Sequence, residues 1–417
     1  MAKSAAGKTP PVVKRVNEPL TITRSGGGKS LTRSYAYDLH ERLCKTTEPE
    51  TGATVQGYDA ASNVLWRATG RSLASAACDG TGIALAKKTT FNYDARNRLK
   101  ITTYGDSSPL ITRTYTPDGL PESVVSGGAA WTYEYNKRRL NTAEILAYAG
   151  QQYRTSRSYD ANGSLARMGY PMGNLSIDYD PNALGEARRV GGYATNIGYH
   201  PSGSVAGFTY GNGIRRDLTQ NVRGLPEHSK DGAVLDETYG YDANGNAKAI
   251  VDATGGGANR TMEYDDLDRL FRVSAPGQWG MATYSYDALD NLVSTTLSGG
   301  ANARTLTHNI DATNLLGSTS GGPASFNFSY GYDDQGNVTR RGTQTYRFDQ
   351  GNRMTAADGR ATYAYDGLGR RFSTVGTDGV NTIQIYTQDG KLLYSGPTGV
   401  GGSKYIYLNN HVIAEVK

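Results

Sequence analysis

Tyr93-Asp94-Ala95-Arg96-Asn97-Arg98-Leu99 is one block of a series that runs through almost the whole chain. An aromatic or bulky apolar residue opens each block, an acid or amide usually follows, and Gly or Asn stands four residues after the opener. The openers are Tyr37, Tyr58, Tyr93, Tyr115, Tyr135, Tyr159, Tyr179, Tyr199, Tyr241, Tyr264, Tyr286, Ile310, Tyr332, Phe348, Tyr365, Tyr386 and Tyr407. They recur about every 20 residues, a period that marks a repeat array rather than a set of unrelated domains. A 35-residue gap before Tyr93 holds an insertion around residues 73–88, the one stretch with a helical apolar stripe. The 42-residue gap before Tyr241 is read as hiding a degenerate unit, Leu218-Thr219-Gln220-Asn221-Val222-Arg223-Gly224-Leu225, lengthened by one residue.

Each block has the physics of a strand that ends in a tight turn. A second aromatic often precedes the opener by two residues, as in Tyr35/Tyr37, Phe91/Tyr93, Tyr284/Tyr286 and Tyr363/Tyr365. That spacing places both rings on one face of a strand. Gly163, Gly203, Gly245, Gly336 and Gly369, with Asn97, Asp268, Asp290 and Asn352 at the same offset, tolerate left-handed backbone. The chain then resumes with Leu43, Val64, Leu99, Leu165 or Leu292. The structural aromatics are therefore Tyr37, Tyr58, Tyr93, Tyr159, Tyr241, Tyr264, Tyr286, Tyr332 and Tyr365. The turn acids, read as acceptors for the turn's own amides, are Asp38, Asp94, Asp160, Asp242, Asp265, Asp287, Asp333 and Asp366. About 17 to 18 hairpins follow, too many strands for a flat sheet, so the sheet must wind or close.

Composition agrees with an all-β chain. There are 30 Tyr against 7 Phe and 3 Trp, and 53 Gly. Tyrosine suits a half-wet strand face, and glycine suits turns rather than helices. The 44 basic and 39 acidic residues leave a net charge of +5, too small and too evenly spread for a nucleic-acid surface. Arg42, Arg98, Arg269, Arg353 and Arg370 keep the register of the repeat, five residues after the opener, and are read as solvated turn residues or partners of the turn acid.

No site of chemistry emerges. Cys44 and Cys78 are too few for a disulfide framework, lack metal-ligand spacing and are read as more often unpaired than joined. Asp160-Ala161-Asn162-Gly163 and Asp242-Ala243-Asn244-Gly245 start like calcium loops, but Pro171 and Ala253 stand where the bidentate Glu is needed. His40, His200, His228, His308 and His411 mostly follow the repeat and form no triad pattern. Gly26-Gly27-Gly28-Lys29-Ser30 lacks the earlier glycine of a phosphate loop, since Thr23 stands there. Catalytic residues, metals and cofactors are accordingly expected to be none. No 18-residue apolar run and no secretory signal are visible.

The blocks at Tyr37–Leu43, Tyr93–Leu99, Tyr264–Leu270 and Tyr286–Leu292 closely resemble the YD repeat of RHS (rearrangement hotspot) proteins, and the resemblance covers residues 31–417. It implies a large, curved or hollow β-shell, cocoon-like, which in bacterial members encloses a toxic C-terminal domain. Residues 1–30 are then a polar, basic N-terminal extension, and residues 31–417 are the shell with its insertion near 73–88. The family's Asp-Pro-x-Gly type cleavage motif is not met before Lys417, so the chain is expected to be shell alone, without toxin domain. Expected partners are a C-terminal toxin as cargo, further shell segments and secretion-apparatus proteins. The chain would be made in the bacterial cytoplasm and exported without a visible signal peptide. The competing expectation is an adhesion module whose aromatic rows bind carbohydrate or protein. With fewer repeats than family shells use, the wall should be curved and partly open, or completed by another copy or chain.

Overall fold

The structure, a computed structural model, describes residues 20–398 and 401–417. Among these residues 36 strands follow one another from β1 (Thr21–Gly26) to β36 (His411–Val416), and within each of two sheets every strand is hydrogen-bonded to the next in antiparallel fashion. They form a 14-stranded sheet and a 22-stranded sheet, each in strict sequence order. The break falls between β14 (Ser176–Asp178) and β15 (Ala194–Tyr199), where isolated bridges join Pro181 to Ala187 and Val190 to Ala194. This is the all-β hairpin array that alternation and turn chemistry demand.

Three sequence expectations shift. The ladder begins at Thr21, because Gly27 and Gly28 turn β1 back onto β2 (Lys29–Tyr37) with Gly26 opposite Lys29. Residues 20–30 of the expected extension are thus part of the sheet, the Gly-Lys-Ser stretch is a hairpin turn, and residues 1–19 lie outside the described residues. The degenerate unit is of ordinary length: Asn221 begins the turn, Gly224 adopts φ 75°, and Gln220 stands where other units have tyrosine. The segment read as helical contains only two short 3₁₀ turns, Arg71–Leu73 and Leu85–Lys87.

That segment is stapled down. Cys44 and Cys78 are joined by a disulfide with a Cα–Cα distance of 5.3 Å, against the reading that leaves them unpaired. Sequence spacing carries no sign of the pair, since only the loop's return across β3 (Leu43–Glu48) brings Cys78 over Cys44. Leu73 and Ile83 pack beneath the loop on Ala53, Val55 and Ala68, and the Lys45 ammonium donates to the carbonyls of Ala74 and Ala76.

The ribbon winds back along itself. Side chains near the start of the chain meet the second sheet at a nearly constant distance along the sequence, and in the same order. Lys29 faces Asp287 at 3.4 Å, Asn314 donates to Glu50 at 2.9 Å, and the Ser72 amide donates to Asp334 at 2.8 Å. Further on, the Gly105 amide donates to Gln350, Trp131 Nε1 to Asp366, the Gln388 amide to Glu144, and Tyr170 Oη to the Tyr405 carbonyl. Contacts that keep order at separations between 233 and 266 residues describe two successive turns of a spiral, one laid on the other. Part of the completion expected from another copy is therefore supplied by the chain itself.

The wall is thin between these overlaps. Strand Arg304–Ile310 alternates half-buried and exposed residues without a single buried one, whereas a packed sandwich buries one face. Full burial concentrates where the two windings touch. Ile111, Trp131, Leu146 and Tyr153 pack with Phe372, Ile383, Ile385 and Tyr394, and Met168, Tyr170 and Phe208 pack with Leu393, Ile406 and Leu408.

Replacing Cys44 and Cys78 by alanine together should leave the ladder intact but free residues 71–88. A cross-link across 34 residues is worth about 2–4 kcal/mol. Hydrogen exchange should show amides of that segment, and not those of Ile383–Tyr394, exchanging faster by the corresponding factor.

Candidate functional site: the turn ladder and the seam

Most blocks close with the same turn, which after Tyr179 is displaced to residues 182–186 and after Tyr407 is shortened to two residues. In the first, the Asp38 amide donates to the Arg42 carbonyl at 2.9 Å and the Glu41 amide to the Asp38 carbonyl at 3.0 Å. Glu41 has φ 61°, and the strand register slips between Ala36 and Tyr37. This is a three-residue hairpin loop, a type I turn followed by a left-handed bulge residue. Asp38 Oδ1 accepts the amides of His40 and Arg42, both at 2.9 Å. Asp94, Asp265, Asp287, Asp333 and Asp366 accept the corresponding pair of amides, as does Asp160 from Asn162 and Ser164, while Asp242 takes that of Asn246.

The opening tyrosines reach sideways into the preceding block. Tyr58 Oη donates to the Leu43 carbonyl at 2.7 Å, Tyr93 to Val64 at 3.1 Å, Tyr159 to Asn141 at 2.6 Å and Tyr241 to Pro226 at 2.8 Å. Tyr264, Tyr286, Tyr332 and Tyr365 do the same to Ala247, Leu270, Leu316 and Met354. Tyr37, on the first complete hairpin, stands opposite Leu43. Burial raises the phenol pKa of Tyr93, Tyr159, Tyr264 and Tyr365, which keeps them neutral donors.

The residue that ends the turn ties neighbouring blocks together. Arg42 Nε binds Asp38 at 2.8 Å, its Nη1 donates to the Asp59 carbonyl at 2.9 Å, and its guanidinium lies 4.5 Å from the Tyr58 ring centre. Arg98 lies over Tyr115, Arg269 over Tyr286 and Arg370 over Tyr386. Where asparagine replaces arginine, it bridges its own acid to the side chain of the next left-handed residue. Asn63 reaches Asn97, Asn246 reaches Asp268, Asn291 reaches Asn314 and Asn337 reaches Asn352, all between 2.7 and 3.0 Å. The sequence carries that signal, and reading blocks singly misses it. An Asn at the turn's end is followed, one block on, by Asn or Asp at the left-handed position, whereas Leu140, Ser164, Leu225 and Leu315 are followed by glycine.

Two carboxylates are buried in the seam between windings. Asp366 is wholly buried and receives Trp131 Nε1 at 3.0 Å and Arg370. Glu144, 3% exposed, receives the Gln388 amide and pairs with Arg157 at 2.8 Å. Desolvation raises the Glu144 pKa against the pull of Arg157. Both are paired, as buried charges must be, and they hold one winding on the other. Among the described residues no three His, Cys, Asp or Glu side chains group to hold a metal, and no helix is long and apolar enough to cross a membrane. His308 contacts the Thr295 hydroxyl, and His228 pairs with Asp236 at 2.6 Å.

No family model and no curated protein matches the chain. Solved structures do. The crystal structure of TcdB2-TccC3 superposes with a TM-score of 0.58 at 14% identity, covering 93% of this chain and 25% of that one. The TcdB2-TccC3-TEV crystal structure gives 0.63 at 13% identity over 91% and 24%. The Photorhabdus luminescens Tc holotoxin pore carrying the TccC3-D651A mutation gives 0.60 at 14% identity over 93% and 24%. The chain spans about a quarter of the length of these structures. The class is an all-β shell of wound hairpins. More particularly, this chain folds as an RHS/YD-repeat shell of the kind found in Tc toxins.

Removing one hydroxyl should cost about 1 kcal/mol by orphaning a carbonyl. Tyr286→Phe is therefore expected to lower the urea midpoint, whereas Tyr284→Phe, two residues away on the same strand, should not. Acid should dissolve the turn ladder in a defined window. The side-chain bond from Arg98 holds the Asp94 pKa down at about 2, and that from Arg269 lowers Asp265. A depressed folded-state pKa contributes stability above the unfolded value and loses it as pH falls toward the folded one. Circular dichroism should stay constant down to about pH 4 and decline between about pH 4 and 2, with Asp94→Asn flattening that decline.

Proposed function

We propose that this chain is a wall segment of a bacterial RHS-type toxin shell, a non-enzymatic container for a toxic effector. The observation that carries this reading is the winding itself, a thin wall that overlaps its own first turn and so encloses space. One turn leads from the second strand to the twenty-fourth. About 22 strands at ~4.8 Å give a circumference of ~105 Å and a diameter of at most ~35 Å, or ~25 Å once side chains are allowed for. A folded domain of 100 residues, with a radius of gyration of ~13 Å, is wider than that bore. The cargo this segment suits is an extended or partly folded polypeptide. The toxin assemblies named among the structural neighbours support such a role.

The adhesion reading finds less support. Sugar stacking needs free ring faces, and the repeat tyrosines are bonded through their hydroxyls and are in several blocks covered by arginine.

Co-expression with a toxin fragment placed after Lys417 should yield a complex in which protease spares the fragment and its activity is masked until the wall is unfolded. Full protease sensitivity and full activity of the fragment would end the container reading.

A further inference from the structure

The seam joins two different edges of the ribbon. Tips of the YD-block turns of the second winding, such as 287–291, 333–337 and 366–370, rest on the intervening turns of the first. The fit is close. A Cβ on Gly26 would collide with Ala288, one on Gly70 with the Asp334 carboxylate, and one on Gly127 would lie 2.9 Å from the Tyr365 carbonyl. Leu289, at the third position of its turn, is only 7% exposed beneath this cover.

One block earlier the cover ends. Leu267 holds the same turn position as Leu289 and is 65% exposed, and Leu184, again at that position, is 83% exposed. Val222, on the turn between them, is fully exposed. At residues 182–186, 221–225 and 265–269 the first winding thus carries YD-block turns with the seam's geometry and exposed tips. The opposite edge shows the complement. Gly300, Gly359 and Gly379 lie in intervening turns of the second winding, as Gly26 and Gly127 do in the first, and a Cβ on any of the three would meet no atom within 4 Å. The molecule presents both halves of its own seam, unmated, on opposite rims.

We propose that these rims are an interface between copies of this chain, with the glycine turns of one copy seated on the YD-block turn tips of the next. The occupant is a second copy because every copy carries the complementary rim, and because the new contact continues an interface the chain already forms with itself. The contact is head to tail, so each copy keeps one free rim and association can extend. The proposal rests on the seam and is independent of any cargo.

Two variants separate this from other modes of association. Leu267→Asp with Val222→Asp blocks the YD-block rim, and Thr377→Arg with Val380→Arg blocks the glycine rim beside Gly379. All four positions are exposed, so folding should be preserved. In sedimentation velocity the native chain should form dimers and longer species as concentration rises toward about 100 μM, where a Kd of ~10 μM leaves most rims occupied. Each double variant alone should be monomeric. An equimolar mixture of the two should give a dimer and nothing larger, because each supplies the rim the other lacks. A native chain that stays monomeric at that concentration overturns the proposal, whether or not it captures some other repeat protein. So does association that survives in either variant, or a mixture that stays monomeric.

Discussion

The structure depends on a phenol hydroxyl that satisfies a main-chain carbonyl where strand pairing runs out. In each intervening hairpin the ladder stops before the YD-block turn: β3 pairs with β4 (Gly52–Tyr58) only as far as Lys45 and Val55, which leaves the Leu43 carbonyl beyond the last rung. An orphaned carbonyl in a wall only one sheet thick is costly. Tyr58 Oη reaches it, and the same reach recurs from Tyr93 to Tyr407. Phenylalanine could fill the space but could not cap the carbonyl, which explains why the openers are almost all tyrosine. Strands that pair tightly at one end and are propped apart by a ring at the other fan out. With the right-handed twist of each hairpin, that fanning bends a meander into a spiral.

The spiral imposes a second requirement, because its windings must be glued without a conventional core. The glue combines buried polar contacts with close backbone approach. Asp366 and Glu144 would be a liability if left alone, yet each receives donors from across the seam or beside it. Hydrophobic burial reinforces the joint at two places, around Trp131 and Phe372 and around Tyr170 and Ile406. Elsewhere the windings touch through turns, so the seam resembles a row of small polar joints more than a packed interface.

Much of this was legible in the chain. The strand faces, the acid at each turn and the left-handed residue four positions after the opener all follow from local chemistry, which a repeat prints many times over. What the sequence hid is non-local. Nothing near Asp334 or Gln350 announces Ser72 or Asp106, because register between windings depends on how many hairpins complete one turn. Cys44 and Cys78 read as unpaired for the same reason: only the folded path of residues 71–88 sets them face to face. The ladder reads as starting at residue 31 because β1 carries no aromatic block and is polar, although it pairs with β2 along its whole length. Unit 221–225 reads as too long with Leu218 as its opener, whereas backbone geometry assigns that place to Gln220.

Asparagine at the end of a turn adds a further step. Arginine there, as at Arg370, can satisfy its acid, the next carbonyl and the next ring at once, so the following left-handed residue is free to be glycine, as Gly390 is. Asparagine is too short for the ring and needs a side-chain acceptor within reach, which the next left-handed Asn or Asp provides. The cost of placing a non-glycine residue at positive φ is thus offset by a lateral bond. An asparagine at the end of one turn thus goes with Asn or Asp at the left-handed position of the next, and the structural unit there is the pair of adjacent hairpins rather than the single repeat.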